Sequence, residues 1–299
     1  MFVGFSESDF DAYAPDKWRS NVFNRARLDV KQKLIALGRD VSGQLFARDG
    51  SPLLCEASVE HPALWNHKQV EAQHLFFSRN EDARRELDPL IDKARSLKSL
   101  LSDPTPQHNH VFLGVTLDRH RVEIALRLHP DASVDRRNLE RRLEDPWQRD
   151  QLVELVRALG ADFSLGVTEG VSFAAHTLTV PELDTVWAQF TPPERPGPSH
   201  WLAITRTIDK DAATLAGSAL CEPVRAALSS LLPVYHFVAW SRDNDYVAMK
   251  KVLSDEQRAR RQKHLAKNDT VRVVRGMFAG RRGTVQQLDA KGGLKVQLG

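Results

Sequence analysis

Two runs of alternating apolar residues, separated by four polar ones, set the strongest limit on what this chain can fold into. Val111 to Leu117 and Val122 to Leu128 flank Asp118-Arg119-His120-Arg121. Val122, Ile124, Leu126 and Leu128 fall on one face at the period of a strand. Such a pair reads as an antiparallel hairpin, and a lone hairpin needs more strands and a covering layer of helices to be stable.

The neighbouring sequence supplies both. Leu53 to Val59 and Val70 to Phe77 read as strands, the second with Val70, Ala72 and His74 on one face and Glu71, Gln73 and Leu75 on the other. Phe163 to Val167 and Ser172 to Leu178 read as a second hairpin, Trp201 to Ile208 as a strand, and Val234 to Trp240 as a strand that closes the body. Helices are expected from Asp16 to about Phe46, from a Ser78-x-x-Glu81 capping box to about Leu101 with a kink or break at Pro89, and from Val134 to Leu143. Others run from Asp145-Pro146 to Gly160, over Glu182 to Gln189, and from Asp209 or Asp211 to about Leu232. Arg48-Asp49-Gly50-Ser51 is a turn. The expected fold class is α+β: a mixed or antiparallel sheet with helices on one face, plus a small C-terminal all-β module.

That module is residues 268–299. Val271 and Val273, Val285, and then Leu294, Val296 and Leu298 alternate with polar neighbours, so three short antiparallel strands are expected. Gly276, Gly280 and Gly283 punctuate the first connection, and Lys291-Gly292-Gly293 makes a second turn. Asp269, Val271, Val273, Gly276, Phe278, Gly280, Gly283, Thr284 and Val285 form a valine strand, a Gly-x-Phe-x-Gly loop and a Gly-x-Val strand. In this the segment resembles the KOW motif of NusG-type transcription elongation factors and of a large-subunit ribosomal protein. The resemblance covers about a tenth of the chain. It implies a small Tudor-like barrel that touches RNA, RNA polymerase or the ribosome, although here the sequence given stops after the third strand. Three strands alone are borderline in stability, so packing against the body or completion by a partner is expected.

Charge points the same way. The chain of 299 residues carries a net +3. From Arg258 onward, eleven Lys or Arg stand against Asp269 and Asp289, which makes that end +9 and leaves −6 for the remainder. Arg258, Arg260, Arg261 and Lys263 lie on an expected basic helix spanning 251–267, and Arg272, Arg275, Arg281 and Arg282 surround the glycine loop. Guanidinium forks match phosphate geometry, and glycines let a backbone approach a ligand closely. With Gly276, Phe278, Gly280 and Gly283, these residues form the candidate nucleic-acid site. A solvated basic edge is the competing reading, since charged edges also discourage aggregation.

The body, 1–250, contains a proline-dense stretch at 191–198 that is either a linker or a rigid loop. Its first long helix carries Lys17, Arg19, Arg25, Arg27, Lys31, Lys33 and Arg39, a solvated face or a second nucleic-acid surface. Nothing resembles a signal peptide or an apolar span long enough for a bilayer, so a cytoplasmic protein with no membrane partner is expected. Cys55 and Cys221 read as reduced thiols. The usual phosphate-loop, nucleophile-elbow, zinc-protease and paired-cysteine motifs are missing, and no cofactor is assigned.

The alternative class is a metal-dependent enzyme in the body. Seven histidines lie between His61 and His129, and His108-x-His110 with His67 or His74 would make a zinc or iron site. Glu123 with Asp118 faintly resembles a nuclease carboxylate pair, but Ala125 stands where such a site would need lysine.

Overall fold

The computed structural model describes residues 1–62, 69–94, 106–190, 200–248, 251, 267–273, 277–288 and 294–298. The chain divides into two compact units, Met1–Val247 and Ala248–Gly299. No helix among the described residues is long and apolar enough to cross a membrane.

In the first unit the alternating runs become β1 (Leu54–Ala57), β2 (Ala72–Ser78), β3 (Phe112–Asp118), β4 (Arg121–Leu128), β5 (Phe163–Val167), β6 (Ser172–Ala174) and β7 (Leu202–Asp209). They form one sheet in the order β1-β2-β3-β4-β7-β5-β6, antiparallel at every pairing. The helices are α1 (Glu7–Asp11), α2 (Asn24–Val41), α3 (Glu81–Ala94), α4 (Ser133–Leu143), α5 (Pro146–Arg157), α6 (Val180–Phe190), α7 (Lys210–Ala216) and α8 (Cys221–Val238).

Register decides which side of the sheet they cover. Opposed residues share a face, so Leu75, Val115, Ile124 and Arg206 stand together, as do Phe77, Leu113, Leu126, Ile204 and Leu165. The apolar members join one buried cluster with Val30, Leu34, Leu37 and Val41 of α2, Val156 of α5, Val186 of α6, and Leu228 and Leu231 of α8. Phe112, Ala125 and Ala203, on the other face, are buried but lie outside that cluster. The α+β arrangement expected from periodicity is therefore present.

Several boundaries differ from the sequence expectation, each for a local reason. The first helix begins at Asn24, not Asp16. Ser20 accepts the Val22 amide, and the buried Arg27 guanidinium binds the carbonyls of Lys17 and Ser20, which folds those residues back as turns. Ser78 ends β2 and bonds Arg84, so Asn80 caps α3 instead, accepting the Ala83 amide at 2.9 Å. That helix runs through residue 89 to Ala94. Asp145 caps α5 as expected, through the Trp147 amide at 2.9 Å. The predicted helix to Leu232 is divided at Gly217, whose φ of +54° interrupts it.

Val234 to Trp240 is not a strand. Val234, Tyr235 and Val238 continue the buried stripe of α8 begun by Val224, Ala227, Leu228 and Leu231, at helical spacing. A continuous apolar run has no period of its own, so its neighbours decide the outcome. Beyond it, Asn244 satisfies the helix end by donating to the carbonyls of His236, Phe237 and Ala239. Arg142 adds a bond to the Phe237 carbonyl and lies 3.4 Å from the Phe237 ring centroid.

The second unit contains β8 (Thr270–Arg272), β9 (Arg282–Leu288) and β10 (Leu294–Leu298), antiparallel in the order β10-β9-β8. They form their own sheet, so the expected three strands are present. The proline stretch at 191–198 lies outside the described residues, as does the expected helix at 251–267 except for Lys251 and Lys267.

Gly283 is fixed by close packing. A Cβ there would stand 2.5 Å from Val296 Cγ1 and 2.6 Å from the Gln297 carbonyl oxygen. Gly283→Val is expected to cost about 1–3 kcal/mol by overpacking, comparable to what a three-stranded sheet has to lose. The amide signals of β9 and β10 should lose their dispersion in a heteronuclear NMR spectrum. An unchanged spectrum would refute the packing argument.

Candidate nucleic-acid interface

The register of β8 on β9 sets Val271 opposite Gly283 and Arg272 opposite Arg282. Val285, fully buried, faces Val296 across β10, while Gly283 faces Leu298. Alternation therefore gives one apolar side and one polar side, and the two arginines share the polar side with Thr270, Thr284 and Gln297.

At the tip, Gly280 donates to the Val273 carbonyl at 2.7 Å, and Val273 donates to Arg281 at 2.8 Å. Gly280 has φ +89° and open space around it, so glycine is needed there for its backbone conformation. The turn lifts Met277 and Phe278 into solvent, with relative exposures of 94% and 50%. Arg272, Arg281 and Arg282 are exposed, and no carboxylate pairs with any of them among the described residues. Like charges directly across a strand pair repel. The pairing of Arg272 with Arg282 is thus an internal cost that a bound anion would relieve.

Arg258, Arg260, Arg261, Lys263, Arg275 and Gly276 lie outside the described residues. Among the expected site residues, the structure brings Arg272, Phe278, Gly280, Arg281, Arg282 and Gly283 into one short hairpin. Gly283 is inside it, packed on β10, and the others are exposed.

Part of the basic face predicted for the first helix is engaged within the body. Lys31 pairs with Glu60 at 2.7 Å, Lys33 with Asp9 at 2.5 Å and Arg25 with Asp29 at 3.7 Å, while Arg27 is fully buried on backbone carbonyls. Arg19, Arg25 and Arg39 remain exposed on that side.

Among the described residues the histidines do not gather around one point. His108 stacks on His129 with ring centroids 4.2 Å apart, and Trp201 meets both rings edge-on. His110 is buried elsewhere, its Nδ1 accepting from Arg79 at 3.2 Å, and a cationic donor there opposes a second cation. His74 bonds Thr116 Oγ1 at 2.9 Å, and His67 lies outside the described residues. Among the described residues no three His, Cys, Asp or Glu side chains gather as a metal would need. Glu123 is held by Arg127 and Arg121, and Asp118 accepts the amides of His120 and Arg121, the ordinary work of hairpin charges. Both cysteines are free and half-buried; burial raises the Cys55 thiol to about 11, which suppresses the reactive thiolate.

Sequence reasoning missed a row of rings on the sheet face away from the helical core. His74 stacks on Phe76, Phe76 meets Phe112, and Phe112 meets Trp201 beside His129. The available signal was Phe76 and Phe112 at positions whose strand neighbours face the core. Burial, then the charge of Arg127, lowers His74 to about 4; burial and neighbouring His108 lower His129 to about 3. Unfolded histidine takes its proton near pH 6.5. The unfolded state therefore binds more protons below that pH, so stability is full above it and falls as pH drops towards 4. The urea midpoint should decrease steadily from pH 7 to pH 5, and a flat profile would contradict the burial of these rings.

A buried polar cluster was also missed by sequence reasoning. Arg79, just after β2, makes a two-pronged pair with Asp135 of α4 and donates to the Trp240 carbonyl at 2.8 Å. Asp135 in turn accepts the amides of Val111 at 2.9 Å and Trp240 at 2.8 Å. This cluster binds four chain segments together. No family model matches the chain, and no curated protein is significantly similar to it.

Proposed function

We propose that this protein docks on RNA, free or within a ribonucleoprotein such as a ribosome or a transcribing polymerase, through the C-terminal hairpin. The observation that carries the reading is the facing pair Arg272 and Arg282, exposed and without a carboxylate partner among the described residues, beside the projecting Phe278. Arginine forks bind phosphate oxygens in pairs, and an exposed ring at the same tip can stack on an unpaired base. The KOW-like pattern of the surrounding segment, which includes Phe278, supports this assignment. The basic segment from Arg258 to Lys263 adds long-range attraction in the same reading.

Fluorescence anisotropy with a labelled single-stranded RNA of mixed sequence tests it. Affinity should fall steeply and linearly in logarithmic plots as salt rises, because each neutralised phosphate releases counterions. Binding that ignores salt would point to apolar docking on Met277 and Phe278 and would overturn the phosphate mechanism.

A further inference from the structure

The polar side of the C-terminal sheet continues past its arginines. Two residues along the strands from Arg272 and Arg282 stand Thr270 and Thr284, opposite each other, and Thr284 in turn faces Gln297 of β10. Rows on one face of a sheet repeat about every 7 Å along the strand, and opposed side chains stand about 5 Å apart across it. The face therefore carries a cationic row and, one step on, a neutral row that spans all three strands. Arg272, Arg282, Thr270 and Gln297 are exposed, and Thr284 in the middle strand is half-buried between its neighbours.

The neutral row consists of groups suited to a hydroxyl partner. Each threonine hydroxyl has one donor and two lone pairs, and the Gln297 amide brings two N–H donors. Among the described residues nothing hydrogen-bonds to either threonine hydroxyl. Gln297 is steadied from the side: Gln286, next along β9 on the same face, donates to its Oε1 at 2.8 Å. That bond holds a long side chain in place before a ligand arrives, which lowers the entropy cost of binding, and it uses the amide oxygen, so both N–H groups of Gln297 remain donors.

A nucleic-acid strand with a phosphate on the arginine row lays the adjoining sugar over the neutral row. In DNA that sugar offers only C–H at its 2′ position, whereas in RNA it offers a hydroxyl that both donates and accepts. We propose that Thr270, Thr284 and Gln297 form a sugar-reading row that makes this hairpin select RNA over single-stranded DNA through the ribose 2′-hydroxyl. The inference rests on the RNA-docking reading and adds a discriminating contact to it, because arginine forks bind the phosphates of either polymer.

The test uses the full chain and three labelled single strands of one mixed sequence: RNA, DNA with deoxyuridine for uridine, and 2′-O-methyl RNA, which keeps the ribose ring but caps its hydroxyl. RNA should bind at least about fivefold more tightly than either of the others, the worth of roughly one net hydrogen bond. The three logarithmic salt plots should run parallel, because each strand offers the same phosphates. Thr270→Val combined with Thr284→Val keeps the branched side-chain shape and removes both hydroxyls. It should bring RNA and DNA to within about twofold of each other by weakening RNA alone. DNA or 2′-O-methyl RNA bound as tightly as RNA, or an undiminished RNA preference in the double variant, overturns the sugar-reading row while salt-dependent capture of the strands leaves the docking reading standing. Failure of every strand to show salt-dependent binding would sink both. The wild-type comparison of the three strands decides the matter even if the variant folds poorly.

Discussion

Asp135→Ala should destabilise the body by about 3–5 kcal/mol, because it leaves the buried Arg79 guanidinium without its counter-charge. For a unit of this size that corresponds to roughly 10 °C in melting temperature. The Val111 and Trp240 amides lose their acceptor in the same change, so Asp135→Asn, which keeps the volume but not the charge, should recover only part of the loss. A well-packed apolar replacement of both partners, Arg79→Met with Asp135→Leu, should cost less than either single removal, since no lone charge remains. Urea unfolding of the four chains measures all of this. If the single Asp135 variants unfold with the wild-type midpoint, the network is not a structural keystone.

The same pair adds a second acid-sensitive term. Burial alone would raise the Asp135 carboxyl, but the Arg79 guanidinium outweighs it and holds the group below the usual carboxylate range. A depressed folded value means that the stabilisation is complete above the unfolded value near 4 and is lost as pH falls through the folded one. Histidine burial weakens the fold first on acidification, between about pH 6.5 and 4, and Asp135 follows below that window.

The second large effect concerns RNA capture. Replacing Arg281 and Arg282 by Glu removes two cations at the tip and adds two anions, and it sets Glu opposite Arg272. Affinity for single-stranded RNA should fall on the order of 100-fold at moderate salt, and the salt slope should flatten by about two. The new cross-strand ion pair should leave the sheet intact or slightly firmer. Loss of binding with retained strand signals would therefore isolate charge from folding. Retained affinity in this double variant would remove Arg281 and Arg282 from the interface and leave the proposed mechanism without its phosphate grip.

Much of the architecture was legible because it is written in short-range periods. The β3 and β4 hairpin and β8 to β10 follow from alternation that register then preserves, and the Asp145 cap follows from a local hydrogen bond. The glycine requirement at position 280 was also legible, since a backbone conformation belongs to its own residue. The Val234 to Trp240 run was misread because unbroken apolar sequence fits strand and helix alike.

What the amino-acid order determined alone was the class of elements, the division of charge between body and C-terminal end, and the residues of the glycine and arginine turn. Only the tertiary structure decided which charged groups are spent inside. Arg27, Arg79 and Asp135 look like surface residues in the sequence, yet all three are buried. Their burial is tolerable only where distant carbonyls, amides and counter-charges converge, and that convergence depends on how separate segments cross in space.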